Sequence, residues 1–372
     1  MPMSPAADGA IAARRMVQQQ LWDPPAVSPG VVVRRLAAVQ AQEFAYARWS
    51  LAQRCAGVTC DEVMRQYSAG TILRTHVLRP TWHFVHRLDL GWLLQLSAPR
   101  VRLMNRSVNA GWGVDEEMIG RSNRLLAAAV AGGEHRTRQD LSAVLTAASL
   151  PGAGIPFTQL LMAAELDQEL VSGAPRLNPG GTTAHTYAAF GHRVPPSAVL
   201  DRDEALGRLA VTYFASRGPA TVKDCAAWSG LTMTDIRRGL ALTGEVLERV
   251  VVNGREYFQP PDGGAPRKSL PGRVDLIQCY DEYVMGYSAT RFHLGGKAPT
   301  PGRAQGGIPS HLILVDGLLS GHWKHELTPG SVTIHVHLRR DFPTSARPAL
   351  ESAAHRYSHF LAPDRELRLT HH

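Results

Sequence analysis

Lysine is nearly missing from this chain of 372 residues: of its 40 basic residues, only Lys223, Lys268, Lys297 and Lys324 carry an amine. The positive charge is therefore almost wholly arginine, whose planar guanidinium suits phosphates and base edges, although a GC-rich genome produces the same bias. Cysteine is also sparse. Cys55, Cys60, Cys225 and Cys279 show no C-x-x-C spacing, which excludes a dense disulfide framework and argues against structural zinc, so a reduced, cytoplasmic protein is expected. No stretch approaches the roughly 18 apolar residues of a membrane span, and the start Met1-Pro2-Met3-Ser4-Pro5 lacks the apolar core of a secretory leader. The glycine-rich stretches follow neither a phosphate-loop nor a dinucleotide pattern. Acidic residues number 32, which leaves a net charge of +8. That excess is the electrostatic footprint of a polyanion partner, nucleic acid being the commonest, although a merely basic soluble enzyme would carry it too.

At 372 residues the chain exceeds one compact core of ordinary size, so several domains are expected. Apolar residues recur at helical spacing over 10–22, 30–39 and 43–54, a short helix follows at 61–67, and 74–85 alternates as a strand pair broken near Pro80. Helices followed by a hairpin are the order of a winged helix-turn-helix. That order returns where Thr137 caps a helix running to Ala148, Pro156 opens another to Leu170, and 176–190 reads as a Gly-interrupted hairpin. The third copy is the clearest. Thr221 caps a helix that Gly230 ends, Thr232 or Thr234 caps a second helix carrying Arg237 and Arg238, and 248–259 forms a hairpin around Asn253-Gly254. A linker at 260–271 and a mobile surface loop at 294–309 follow, with a hairpin signalled by Asp316-Gly317, a strand at 331–338 and a closing helix at 346–361. The expected fold is mainly α with β-hairpins, an α+β chain divided as 1–130, 131–200, 201–262 and 263–372.

Within the first unit, Val39-Gln40-Ala41-Gln42 lies between two helical patterns; read alone, two glutamines at this spacing are ordinary helix-surface residues. Their surroundings change that reading. Residues 36–54, 74–85 with the core Arg79-Pro80-Thr81-Trp82-His83-Phe84, 218–240 and 280–287 together resemble the bacterial winged-helix DNA glycosylases of the AlkZ type, in order and over nearly the whole chain. The resemblance implies a monomer of three tandem winged helix-turn-helix units around a concave basic channel, using no cofactor and no metal. It also implies a substrate, double-stranded DNA containing alkylated or crosslinked guanine. The implied activity is excision of N7-alkylguanine and unhooking of interstrand crosslinks formed through guanine N7, as in azinomycin self-resistance. The catalytic signature of those enzymes is Gln-x-Gln, with Gln-x-Asp in a related branch, and Gln40 and Gln42 match the first form.

The chemistry makes this carry-over sensible. An N7-alkylated guanine is already cationic and leaves readily, so strong acid catalysis is unnecessary. What remains is to place water against C1′ and stabilise an oxocarbenium-like sugar, which a carboxamide oxygen can do through its dipole and a hydrogen bond. Glutamine is too weakly basic to abstract a proton, so positioning supplies the rate. Gln42 is assigned to the water and Gln40 to the water or the deoxyribose. Residues two apart on a helix point roughly 200° away from each other, so cooperation requires that the helix end near Val39. None of the four lysines lies near Gln40 in sequence, which disfavours a Schiff-base lyase and favours a monofunctional, water-using enzyme.

His76, Arg79, Thr81 and His83 on the first hairpin fit a DNA-facing surface, and Arg237, Arg238 and the hairpin tips at Asn253 and Asp316 are candidates for backbone or minor-groove contact. Glu43 could be a conventional base but reads better as the start of the next helix, and Asp281-Glu282 reads better as a hydrogen-bonded core than as a catalytic carboxylate pair. His322, His325, His335 and His337 read as structural or phosphate-contacting residues ahead of zinc ligands, and His371-His372 as a tail. The rival classes are a winged-helix transcription regulator, which would normally present a dimer interface, and a non-catalytic DNA-binding protein.

Overall fold

A computed structural model describes residues 5–178, 183–196, 199–261, 272–295 and 311–372. Helix α1 (Pro5–Gln18) leads into α2 (Pro29–Leu36), which begins on Pro29 and stops where Ala37 takes a φ of 61°. A two-residue strand β1 (Val39–Gln40) follows, then α3 (Phe44–Ala52) and α4 (Cys60–Ser68), the last capped by the Thr59 hydroxyl. The hairpin β2 (Ile72–Val77) and β3 (Arg79–His86) completes a sheet of order β1-β3-β2. Its reversal is at Leu78, with φ 64°, and not at Pro80 as the sequence suggested. Pro80 sits beside the register shift between His76 and Val77, where the ladder is already irregular.

A 22-residue helix, α5 (Leu90–Gly111), leads to α6 (Glu116–Ala129), then β4 (Arg136–Thr137), α7 (Arg138–Ala147), α8 (Gly154–Leu166) and β5 (Leu170–Ser172). The helix expected to reach Leu170 ends at Leu166, because Gln168 turns to φ 61°. The hairpin expected at 176–190 also differs: β6 (Arg176–Leu177) and β7 (Thr183–Ala184) form a side ribbon, while β8 (Thr186–Ala189) returns to pair with β5 and β4 in the order β4-β8-β5. Helix α6 shares one apolar core, through Leu126, with Leu141, Leu145 and Phe157 of α7 and α8.

After α9 (Phe190–Arg193) the pattern occurs again as α10 (Arg202–Arg217), α11 (Val222–Ser229), α12 (Met233–Ala241), β9 (Glu248–Val252) and β10 (Arg255–Gln259), with Ala220 bridging to Phe258 of β10. All three segments thus share one topology: helix, short strand or bridge, two helices, and a returning pair whose last strand takes the short strand on its free edge. Thr137, Thr221 and Thr232 each cap a helix, as the sequence suggested for the first two and, as an alternative to Thr234, for the third, and each closes a capping box with the aspartate three residues on.

The C-terminal segment is a five-stranded sheet, β11 (Val274–Ile277), then β12 (His311–Val315), β13 (Leu318–Leu327), β14 (Ser331–Leu338) and β15 (Glu366–His371), with α13 (Glu282–Met285) after β11 and α14 (Arg347–Leu361) making a parallel crossover from β14 to β15. His371-His372 is therefore not a tail: His371 is in β15 and His372 N donates to Val336 O at 3.0 Å. Asn253-Gly254 and Asp316-Gly317 both have the paired positive φ values of a type I′ turn. Most of the expected linker and loop, at 262–271 and 296–310, lies outside the described residues.

The first unit is gripped on two sides. Leu73 and Val85 join Leu209, Phe214 and Trp228 of the third unit in one core, while Trp49 and Phe84 join Trp323 and Tyr357 of the C-terminal segment in another. The α2–α3 turn is held between them.

Candidate active site

The turn carrying the two glutamines differs from its counterparts in the other units. There, Thr137 ends the short strand and Thr221 follows the bridge at once, and each caps the next helix. In the first unit Ala41-Gln42-Glu43 stands between β1 and α3, and Glu43 occupies the cap position without any side-chain cap bond. Helix α2 has already ended at Leu36, and Gln40 is paired in a strand with His83. Extended residues two apart share a face, so this break removes the divergence that a helix would impose on the two amides.

Two networks hold the turn. Gln40 is buried, and its backbone N donates to Glu282 Oε1 at 2.8 Å. Glu282 is itself fully buried, accepting from Arg217 Nε and Nη2 at 3.1 and 2.6 Å and from Trp228 Nε1 at 2.8 Å, while Arg217 Nη2 also reaches Ala38 O at 3.0 Å. One buried ion pair thereby fixes β1 from both ends. On the far side, Ala41 N donates to Trp82 O at 2.8 Å, and Arg74 donates from Nε to Ala41 O at 2.9 Å and from Nη2 to Gln42 O at 3.4 Å. The Arg74 guanidinium lies 4.4 Å from the Trp82 ring centre and 5.7 Å from that of Phe44. Sequence reasoning missed Arg74, since its task is visible only once the hairpin has folded beside the turn. Gln42 itself is exposed, and among the described residues its side chain makes no hydrogen bond.

The Asp281-Glu282 pair is structural, as the sequence suggested. Burial raises the Asp281 carboxyl, but Arg54, bonded at 2.7 and 2.9 Å, outweighs it and holds the group below its ordinary range.

The expected DNA-facing residues divide. His83 is fully buried, with Nδ1 2.9 Å from Thr81 O, and burial together with the nearby Arg79 charge pushes its pKa well down, so the ring is neutral. His76 is also buried, paired with Glu165 and packed 4.6 Å from the Trp82 ring. Neither fits the open surface expected of them, because His76 packs against Glu165 of α8 and His83 is closed in by Arg79 and the paired Gln40 strand. Arg79 and Thr81 are half-buried beside Gln40, and Arg79 Nη2 lies 3.3 Å from Gln40 Oε1. Arg237, Arg238 and Asn253 are exposed, although Arg238 Nη2 bonds Asp203 at 2.7 Å. Asp316 is occupied elsewhere: its carboxylate accepts from the backbone N of Gly272 and Arg273 at 2.9 to 3.0 Å, anchoring chain instead of meeting DNA.

Two histidines of the last segment are hydrogen-bonded within the protein. His325 Nδ1 lies 2.9 Å from Tyr357 Oη, and His311 Nδ1 accepts from Cys279 N at 3.2 Å. Among the described residues no group of three or more His, Cys, Asp or Glu side chains could hold a metal ion, and no helix is long and apolar enough to cross a membrane.

The site therefore offers two neutral carboxamides on one turn, an arginine cation beside one of them, and no amine among the groups named. The model of the family "DNA glycosylase AlkZ-like" matches residues 33–360. The chain belongs to that family. A glycosylase of this family hydrolyses the bond between a base and its deoxyribose. Among curated proteins, the chain is similar to an interstrand DNA cross-link repair glycosylase of Streptomyces sahachiroi, 25% identical over 341 residues covering 83% of this chain and 85% of the relative. Its fold is similar to that of the solved Streptomyces sahachiroi DNA glycosylase AlkZ, with a TM-score of 0.77, 22% identity, and coverage of 98% and 99% of the two chains.

Proposed function

We propose that this glycosylase hydrolyses the N-glycosidic bond of N7-alkylguanine in double-stranded DNA and unhooks interstrand crosslinks made through guanine N7, of the azinomycin type. The observation that carries the reading is the break at Gln40 and Gln42: an uncapped turn stands between the short strand and the next helix, where the sibling units pass from strand or bridge directly into a capped helix. A lesion that leaves as a neutral base from a cationic state needs water and sugar held in place more than a strong acid, and two carboxamides on a rigidly held turn supply that positioning. The reaction forms a bond from the water oxygen to C1′ and breaks C1′–N9. The electron pair stays on the purine and neutralises it, and the water's proton passes to solvent.

The repeated topology supports reading the chain as three winged helix-turn-helix units, monomeric and wrapped around a basic channel, with Thr81, Arg237, Arg238 and Asn253 contributing contacts to DNA. An open channel that reaches the sugar suits a bulky crosslinked base better than full extrusion into a closed pocket. With no lysine near the pair in sequence, the enzyme is monofunctional.

The test is release of 7-methylguanine from alkylated duplex DNA by the wild type, Gln40→Ala and Gln42→Ala. The reading expects release by the wild type and a loss of about 100-fold or more in each variant, as for removal of one preorganised transition-state contact. Unchanged release in both variants ends the catalytic assignment. Trapping of a covalent DNA adduct with borohydride ends the monofunctional one.

A further inference from the structure

We propose that Arg79 is a positioning residue that locks the Gln40 carboxamide with its oxygen turned inward, so that Gln40 meets the substrate only as a donor and Gln42 is the sole carboxamide acceptor for the water. The assignment rests on the function proposed above. A guanidinium can only donate hydrogen bonds, so the Gln40 side-chain atom 3.3 Å from Arg79 Nη2 must be the oxygen, whichever way an amide might otherwise be drawn. The same Nη2 lies 3.4 Å from His83 Nε2. That nitrogen is an acceptor: Nδ1 of the ring is 2.9 Å from Thr81 O, a carbonyl that cannot donate, so the single proton of the neutral imidazole sits on Nδ1. Arg79 is thus set between two acceptors, Gln40 Oε1 and His83 Nε2, and turning the amide over would face its NH2 toward the cation.

The backbone of Gln40 is fixed as well, through Glu282 Oε1 at 2.8 Å. With the oxygen committed, the edge of Gln40 left for DNA is its NH2, polarised by the adjacent positive charge. A donor beside C1′ opposes an oxocarbenium ion, so its target is an acceptor of the backbone, a phosphate or sugar oxygen, which it holds while water attacks. Gln42 is the opposite case. Its main-chain carbonyl is bonded to Arg74, its side chain is exposed, and no described residue bonds its carboxamide, so that oxygen is free to accept from water.

Release of 7-methylguanine, measured in single-turnover and steady-state reactions from pH 4 to 9 with folding checked by thermal unfolding, separates the two roles. Gln42→Glu, which keeps an acceptor, is expected to retain activity within about tenfold near neutral pH and to gain an acid limb near the ordinary glutamate range, about pH 4.3. Gln42→Met, which has none, falls about 100-fold or more. Gln40→Glu pairs with Arg79, presents no donor, and loses about 100-fold without a new limb. Arg79→Met frees the amide and lowers kcat about tenfold or more with KM for the DNA changed less than about threefold, and Arg79→Lys restores part of kcat. The assignment is overturned if Gln40→Glu stays active with an acid limb while Gln42→Glu is dead. It is also overturned if Arg79→Met changes only KM and its salt dependence, the signature of a phosphate contact. Absence of release by the wild type is a different result, which removes the proposed function and this assignment with it.

Discussion

Replacing Glu282 by glutamine changes one oxygen for one nitrogen and removes the only carboxylate bonded to Arg217 among the described residues. Both side chains have 0% exposure. Gln40 N and Trp228 Nε1 donate to different oxygens of Glu282, so the single oxygen of glutamine keeps only one of them, and the buried guanidinium loses its counter-charge with little change in side-chain size. Breaking a buried pair by removing one partner costs about 3–5 kcal/mol, because the remaining charge stays desolvated. At 1.4 kcal/mol per decade, that is roughly two to four decades in the folding equilibrium, set against about 5–15 kcal/mol for the whole stability of an ordinary domain. With a urea dependence of about 3 kcal/mol per molar, the midpoint of unfolding falls by about 1–1.7 M. Tryptophan fluorescence in urea reads it out, with exposed Glu326→Gln as the control, expected within about 0.5 kcal/mol of wild type. A loss below about 1 kcal/mol for Glu282→Gln would refute the reasoning, since Arg217 would then have been stabilised by something other than this carboxylate.

Three further outcomes follow from other parts of the fold. Thr221→Ala removes the hydroxyl that accepts from Asp224 N at 3.1 Å, and should lower stability by about 1–2 kcal/mol in the same urea assay. His311 is pushed down to about 3 by burial and by the charge of His325, against an ordinary 6.5. Its folded pKa is the lower one, so the unfolded chain takes up the proton first, and stability present at neutral pH is lost as pH falls from about 6.5 toward 3. Between pH 7 and 5 this residue alone contributes a loss of about 2 kcal/mol, and His311→Asn should remove that slope from unfolding curves measured at the two pH values. Arg237 is exposed with no ion pair among the described residues, so Arg237→Ala should flatten the salt dependence of duplex binding by about one phosphate contact. Arg238→Ala should change it less, because Asp203 already holds that side chain.

What the sequence made legible was local. The helix caps at Thr137 and Thr221, Gly230 in the left-handed region at the end of α11, and the turns at Asn253-Gly254 and Asp316-Gly317 are chemistry written within four residues, and the structure has each where the sequence put it. Cooperation of the two glutamines, which the resemblance implied, required a helix end near Val39, and α2 ends at Leu36. What failed was tertiary. Nothing near Arg74 in sequence announces that it will clasp the carbonyls of Ala41 and Gln42, and nothing near His76 or His83 announces that their strand face will be closed by other elements. The mis-set hairpin after α8 has the same cause: β8 was free to pair with the neighbouring β7 segment or with β5, and packing chose β5.

The central claim is that Gln40 and Gln42 serve one sugar as a unit, and the most direct measurement is the single-turnover rate of unhooking of an N7-guanine interstrand crosslink by wild type, each alanine variant and the double variant. If both amides act on one transition state, each single variant loses about 100-fold or more and the double variant is no more than a few-fold worse than the poorer single, since residues acting as a unit are not additive. Losses that multiply in the double variant, or wild-type rates in either single one, would contradict it.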